Sequence, residues 1–132
     1  MWTDNINAQL SLSAGALLGV TGVVLGAWGA HGLAAFLGQP VPDSWATAVQ
    51  YHLLHAILLV VIGIWQQIHP STWLRAAAIA CGVGVVLFSG SIYGLVLGAP
   101  RALGPVTPMG GVCLIVAWGL LLVAAQQQVR RP

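Results

Sequence analysis

Imidazoles and phenols are the reactive side chains that this sequence places in apolar surroundings. His31 lies in one apolar run, Gln50, Tyr51, His52 and His55 in the next, and Ser89, Ser91, Tyr93 and Thr107 further on. Neutral imidazole is a common ligand for iron, copper and zinc. His31 with His55 or His52 is therefore a candidate pair for a haem iron or another metal. His52 and His55, three residues apart, share a helix face. No carboxylate or thiolate accompanies them at the same depth, so the ligand set is generic. A second chemistry open to the same residues is a pocket for a quinone, a lipid headgroup or a small solute. A third is mutual hydrogen bonding that fixes helix register, at about 1 kcal/mol per bond. The third is the main expectation, and no cofactor is expected.

Other chemistry is excluded by what the chain lacks. There is no Gly-x-Ser-x-Gly elbow, no phosphate-binding glycine loop and no carboxylate pair for acid–base catalysis, so an enzyme is not expected. Proton- or ion-coupled transport is disfavoured because it draws on intramembrane Asp or Glu. The 132 residues are 58% hydrophobic and 5% charged, with no Lys and no Glu. Mean hydropathy is +0.91. A soluble domain carries about 25% charged residues, and four Arg with two Asp cannot cover a wetted surface. The same scarcity excludes a nucleic-acid partner held by a basic face.

The elements that must position these residues are four apolar runs, near residues 10–37, 44–68, 72–97 and 107–126. Each is long enough for a helix crossing a hydrocarbon layer roughly 30 Å thick. The expected fold is all-α: a membrane protein built as an antiparallel bundle of four transmembrane helices in a single domain. Gly38 to Asp43, His69-Pro70-Ser71 and Gly98 to Pro105 supply short connections, with Asp43 or Ser44 expected to cap the second helix. The first run is too long, and its start too poor in positive charge, for a secretory signal, and is read as an uncleaved helix.

An even number of crossings puts both termini on one side. That side carries Arg75, Arg130 and Arg131 against Arg101 opposite, which favours both termini in the cytoplasm. Trp2, Trp65 and Trp73 fall at the inner boundary and Trp45 at the outer one, while Trp28 and Trp118 read as packing residues. Because consecutive helices run in opposite directions, the polar residues collect in the outer half of the bilayer. His69, beside Pro70 in a turn, is expected to be solvated. Cys81 and Cys113 differ by roughly 9 Å in depth, too far apart for a disulfide, and read as small buried residues.

Cohesion in lipid comes from close helix contact through small residues. Gly15, Gly19, Gly22, Gly26 and Gly29 share one face of the first helix, Gly90, Gly94 and Gly98 recur on the third with Ala80 and Gly84 lower down, and the fourth begins with Gly110-Gly111. These stripes are read as internal packing surfaces rather than as a dimerisation face or a lipid-binding groove.

Gly26-Ala27-Trp28-Gly29-Ala30-His31-Gly32-Leu33 and Tyr51-His52-Leu53-Leu54-His55-Ala56 resemble the domain-of-unknown-function 423 family. So do Leu87-Phe88-Ser89-Gly90-Ser91-Ile92-Tyr93 and Thr107-Pro108-Met109-Gly110-Gly111. These motifs span nearly the whole chain in the family's order. The resemblance implies a small four-helix bacterial inner-membrane protein, with a mitochondrial relative in animals, and no established activity. The family's recurrent polar positions fall on His31, Tyr51, His55, Ser89, Ser91, Tyr93, Thr107 and Pro108. At His52 the family commonly has Gln, which fits a hydrogen-bonding role and leaves His31 and His55 as the ligand pair to test. The expected function is a non-enzymatic accessory or scaffolding element. Its partners would be the lipid bilayer and other membrane proteins or further copies of itself. The alternative is a haem-, metal- or quinone-binding module using His31 and His55.

Overall fold

The computed structural model describes residues 2–129, with side chains from Asn5 onward. Arg130 and Arg131, and the side chain of Trp2, therefore lie outside the described residues. The chain forms α1 (Trp2–His31), α2 (Leu33–Leu37), α3 (Asp43–Ile68), α4 (Thr72–Val96), a 3-10 turn (Arg101–Leu103) and α5 (Val106–Val129). Four of these helical stretches are long and apolar enough to cross a membrane.

The first apolar run holds two elements rather than one. The helix breaks at Gly32, whose φ of −133° departs from helical geometry, and α2 restarts at Leu33. The break lets Leu33 turn inward, fully buried against Trp45, Ala48 and Tyr93. Gly38 ends α2 in the left-handed region at φ 68°, its N–H bonded to Ala34 O, a conformation with no steric cost for glycine. The expected side-chain cap of α3 is absent: Pro42 takes the cap position without a side-chain bond, and Asp43 is the first helical residue. At α4, by contrast, Ser71 Oγ accepts from Trp73 N at 3.2 Å.

The long helices pack in chain order, α1 along α3, α3 along α4 and α4 along α5. On α1 the glycine stripe sets how closely it approaches α3. A Cβ on Gly15 would lie 2.9 Å from Ala56 O, and one on Gly22 would lie 2.6 Å from Leu53 Cδ2. Gly26 faces Val49 and Gly29 faces Trp45, while Gly63 of α3 returns the contact against Leu12. Gly19 is the exception, with open space beside it.

The α4–α5 pair is seamed by Gly84 and Gly110, both among the expected packing glycines, and not by the Gly90, Gly94 and Gly98 steps. Gly84 faces the side chain and backbone N of Leu114, and Gly110 lies against the backbone of Leu87 and Phe88. Gly90 faces nothing, Gly94 meets only the connection at Leu103 and Ala99, and Gly98 forms the turn with φ 97°. Spacing alone makes a stripe available; whether a helix lies over it depends on where the partner docks.

The core between the pairs is apolar, with Ile62, Leu74, Ala77, Leu121 and Ala124 at one end and Leu59, Cys81 and Ala117 near mid-span. Large apolar side chains face outward along every long helix, among them Leu17, Val20, Ile57, Val86 and Ile115, each more than half exposed. Such a surface would associate in water; among acyl chains it is the solvated face.

Candidate functional site

Two imidazoles organise the polar interior, and both are buried. His52 bridges three helices: its Nδ1 lies 3.0 Å from Tyr93 Oη on α4 and its Nε2 lies 3.2 Å from Thr21 Oγ1 on α1. Thr21 Oγ1 lies 3.0 Å from Leu17 O, where its hydroxyl donates. That direction fixes the rest of the chain. His52 Nε2–H donates to Thr21, and the Tyr93 hydroxyl donates to Nδ1. Ser89 Oγ, beside this junction, donates to Ala48 O at 2.7 Å and ties α4 to the α3 backbone. The Trp45 ring packs on Tyr93 with centroids 4.7 Å apart. Trp45, the third residue of α3, is itself buried, and its indole N–H donates to Leu25 O at 3.1 Å, clamping α3 to α1.

His55 sits one turn deeper. Its Nδ1 lies 2.7 Å from Tyr51 O, an acceptor only, so Nδ1 carries the proton and Nε2 is left to accept. Trp118 of α5 fills that role, with its indole N–H 3.2 Å from His55 Nε2. Trp118, expected merely to pack, is thus the bond that ties α5 to α3. Tyr51 stacks on the His55 ring at 5.9 Å and on Phe88 at 4.8 Å. Cys81 Sγ, 3.6 Å from His55 O, and half-buried Cys113 are free thiols. A third junction joins α4 to the start of α5. Ser91 Oγ donates to Phe88 O at 2.9 Å and accepts from Thr107 Oγ1 at 2.6 Å.

Three of the expected site residues stay at the surface. Tyr51 is 41% exposed, its ring packed on His55 and Phe88. Gln50 is exposed, at the edge of a groove between α1 and α3. His31 is exposed at the end of α1. The constant α1–α3 register, Gly15 to Val60, Gly22 to Leu53 and Gly26 to Val49, sets His31 level with Ser44. Eleven residues at 1.5 Å each then separate it from His55 along the axis, roughly 16 Å. His31 and His55 do not converge on a common atom, and the pairing read from sequence is corrected on that ground. Among the described residues no group of three or more His, Cys, Asp or Glu side chains is placed to hold a metal ion.

A second polar cluster, missed in the sequence, lies at the end of the bundle that carries both chain termini, here the terminal end. Gln66 is buried there. With its amide oriented to suit its neighbours, Nε2 donates to Ser11 Oγ at 2.9 Å and to Asn7 O at 3.3 Å, and Oε1 accepts from Arg75 N at 3.2 Å. One side chain thereby joins α1, α3 and the first turn of α4. Its signal was masked because a glutamine near a helix end reads as an interfacial residue.

The family described as "Protein of unknown function (DUF423)" matches residues 25–111 of the chain. UPF0382 membrane protein YwdK of Bacillus subtilis is 39% identical over 118 residues, covering 84% of this chain and 91% of that protein. UPF0382 inner membrane protein YgdD of Escherichia coli K12 is 34% identical over 127 residues, covering 96% of each. UPF0382 membrane protein SAB0533 of Staphylococcus aureus is 35% identical over 121 residues, covering 88% of this chain and 94% of its own. No solved structure matches the chain.

Proposed function

We propose that this chain, which belongs to the DUF423 family of membrane proteins, is a non-enzymatic accessory or scaffolding element of the bacterial inner membrane. The observation that carries the reading is the state of the two buried imidazoles. All four ring nitrogens of His52 and His55 are engaged by partners on α1, α3, α4 and α5. A metal or haem iron would have to displace one of those partners and leave a buried donor or acceptor unmatched, a cost of about 1–3 kcal/mol. The polar residues serve instead to lock four helices in one register, and the product is a rigid membrane surface for other proteins or further copies of the chain. Arg75 at the terminal end, with Arg130 and Arg131 next to the C-terminus, supports a cytoplasmic placement of both termini.

The test is the absorbance spectrum and metal content of protein purified in mild detergent, alongside His31→Ala and His55→Ala. Colourless, metal-free protein whose thermal stability falls in His55→Ala and holds in His31→Ala is the expected result. A Soret band or stoichiometric metal that disappears in both variants overturns the reading. Affinity purification from gently solubilised membranes is expected to bring down a larger complex. Fusion reporters at the two ends are expected to report the cytoplasm.

A further inference from the structure

Gln50 sits on α3 roughly 8 Å from the middle of the helix, inside a hydrocarbon layer roughly 30 Å thick. Its side chain is exposed, and its amide makes no hydrogen bond to any described residue. Polar groups at such depth are costly and face a partner. Lipid supplies none there, because ester and phosphate oxygens lie at the boundary. The short glutamine stem cannot carry the amide the remaining distance of roughly 7 Å. The amide stands at the edge of a groove of 420 Å³ between α1 and α3, walled by Gly26 and Ala30 on α1 and by Ala46 and Val49 on α3. Asp43, at its mouth, lies roughly 19 Å from the middle of α3 and so beyond the hydrocarbon. Gly19, seven residues before Gly26 and eleven before Ala30, continues the α1 wall and has open space beside it. α1 is the least enclosed of the four spans, with α3 as its one extensive neighbour among the described residues.

We propose that this α1–α3 face is the interface with a second copy of the chain, docked across a two-fold axis along the membrane normal so that each Gln50 amide meets the other. Depth selects that occupant first. Copies of one chain insert with the same topology, so a second copy presents its own Gln50 at the matching level. Electrostatic complementarity selects it again. A carboxamide is its own complement, with a positive donor end at Nε2 and a negative acceptor end at Oε1. A two-fold axis sets each end against its opposite and closes two N–H···O bonds in an isologous contact. Gly19, Gly26, Ala30 and Ala46 have no bulk to hold the helices apart, and close approach is what helix association in lipid requires. The two Asp43 carboxylates stay in water, where salt screens their repulsion. The interface is distinct from the His52 and His55 junctions. It rests on Gln50 and not on the scaffolding role, which absorbance and metal content test separately.

The experiment is Förster transfer between N-terminally labelled copies of the full chain in phosphatidylcholine vesicles, read across a range of protein-to-lipid ratios. Gln50→Leu removes the amide, Ala30→Leu fills the groove, and Ile115→Phe on the exposed face of α5 is the control. The unaltered protein and the control are expected to dimerise. Gln50→Leu is expected to dimerise about ten- to hundredfold more weakly, the equilibrium effect of two lost interhelical bonds. Ala30→Leu is expected to stay monomeric at every ratio with helicity intact. Mild oxidation is expected to link Gln50→Cys into a dimer and to leave Ile115→Cys unlinked, with the free thiols Cys81 and Cys113 common to both. If Ala30→Leu does not fold, the Gln50 variants decide. Three results overturn the proposal: a monomer at every ratio, as a hydrated groove or a different protein partner predicts; a dimer indifferent to Gln50→Leu; or linkage of Ile115→Cys in place of Gln50→Cys.

Discussion

Gly110 and Gly119 lie on the same helix, and an alanine at each should have opposite consequences. A Cβ added at Gly110 would sit 2.7 Å from Leu87 C and from Phe88 Cα, both backbone atoms of α4 that no rotamer change can move aside. At Gly119 nothing lies within 4 Å. Carbon atoms rest about 3.5–4.0 Å apart, so α4 and α5 must separate by about 1 Å around Gly110. A gap of that size forfeits roughly a quarter to a half of each local dispersion contact, and overpacking of this kind costs about 1–3 kcal/mol. Both substitutions share the helix-propensity gain of about 1 kcal/mol, so it cancels in the comparison. Gly110→Ala should therefore be less stable than Gly119→Ala by about 1–3 kcal/mol, a factor of roughly 5 to 150 in the unfolding equilibrium. The assay is reversible unfolding in mixed micelles, followed by helicity. Equal stability of the two variants would refute the claim that backbone contact at Gly110 holds α5 to α4.

The polar junctions give further expectations. His52→Leu removes two interhelical bonds and should lower stability by about 1–2 kcal/mol. A double-mutant cycle with Tyr93→Phe should return a coupling of about 0.5–1.5 kcal/mol, and additive losses would argue against the bond. Gln66→Leu strips the terminal-end junction of its amide and should cost about 1–3 kcal/mol, read by the same unfolding assay. His31→Ala, at an exposed position with no bonded partner among the described residues, should change stability by less than about 0.5 kcal/mol, and a larger loss would show a contact at that helix end.

The four spans were legible because charge is forbidden in lipid, and the sequence keeps Asp, Glu and Lys out of all four runs. His52, His55, Ser89, Ser91, Tyr93 and Thr107 were legible as a depth, since counting residues from helix ends gives the axial coordinate. The azimuth was not. Gln50 shares the depth but stays exposed, and His31 was misplaced in depth, since the first run breaks at Gly32 and leaves it level with Ser44. Thr21 was invisible because one threonine in an apolar helix can satisfy itself on the preceding turn, as its bonds to Leu17 O and Leu18 O show. Trp118 was read for its bulk when its N–H was the functional part. The glycines make the same point. The stripe on α1 has the spacing of a contact face and is one, whereas Gly90 has comparable spacing and faces open space.

The serial packing order has a consequence for biogenesis. The first two spans meet along a glycine seam and so do the last two, while α3 and α4 touch over a smaller face. Each half is thus a hairpin closed by its own glycine seam, with the His69-Pro70 turn between them. A gene divided at that turn should yield two polypeptides that find each other in the bilayer. The histidine, serine and glutamine bonds would act as the key that lets one hairpin accept the other and no stranger.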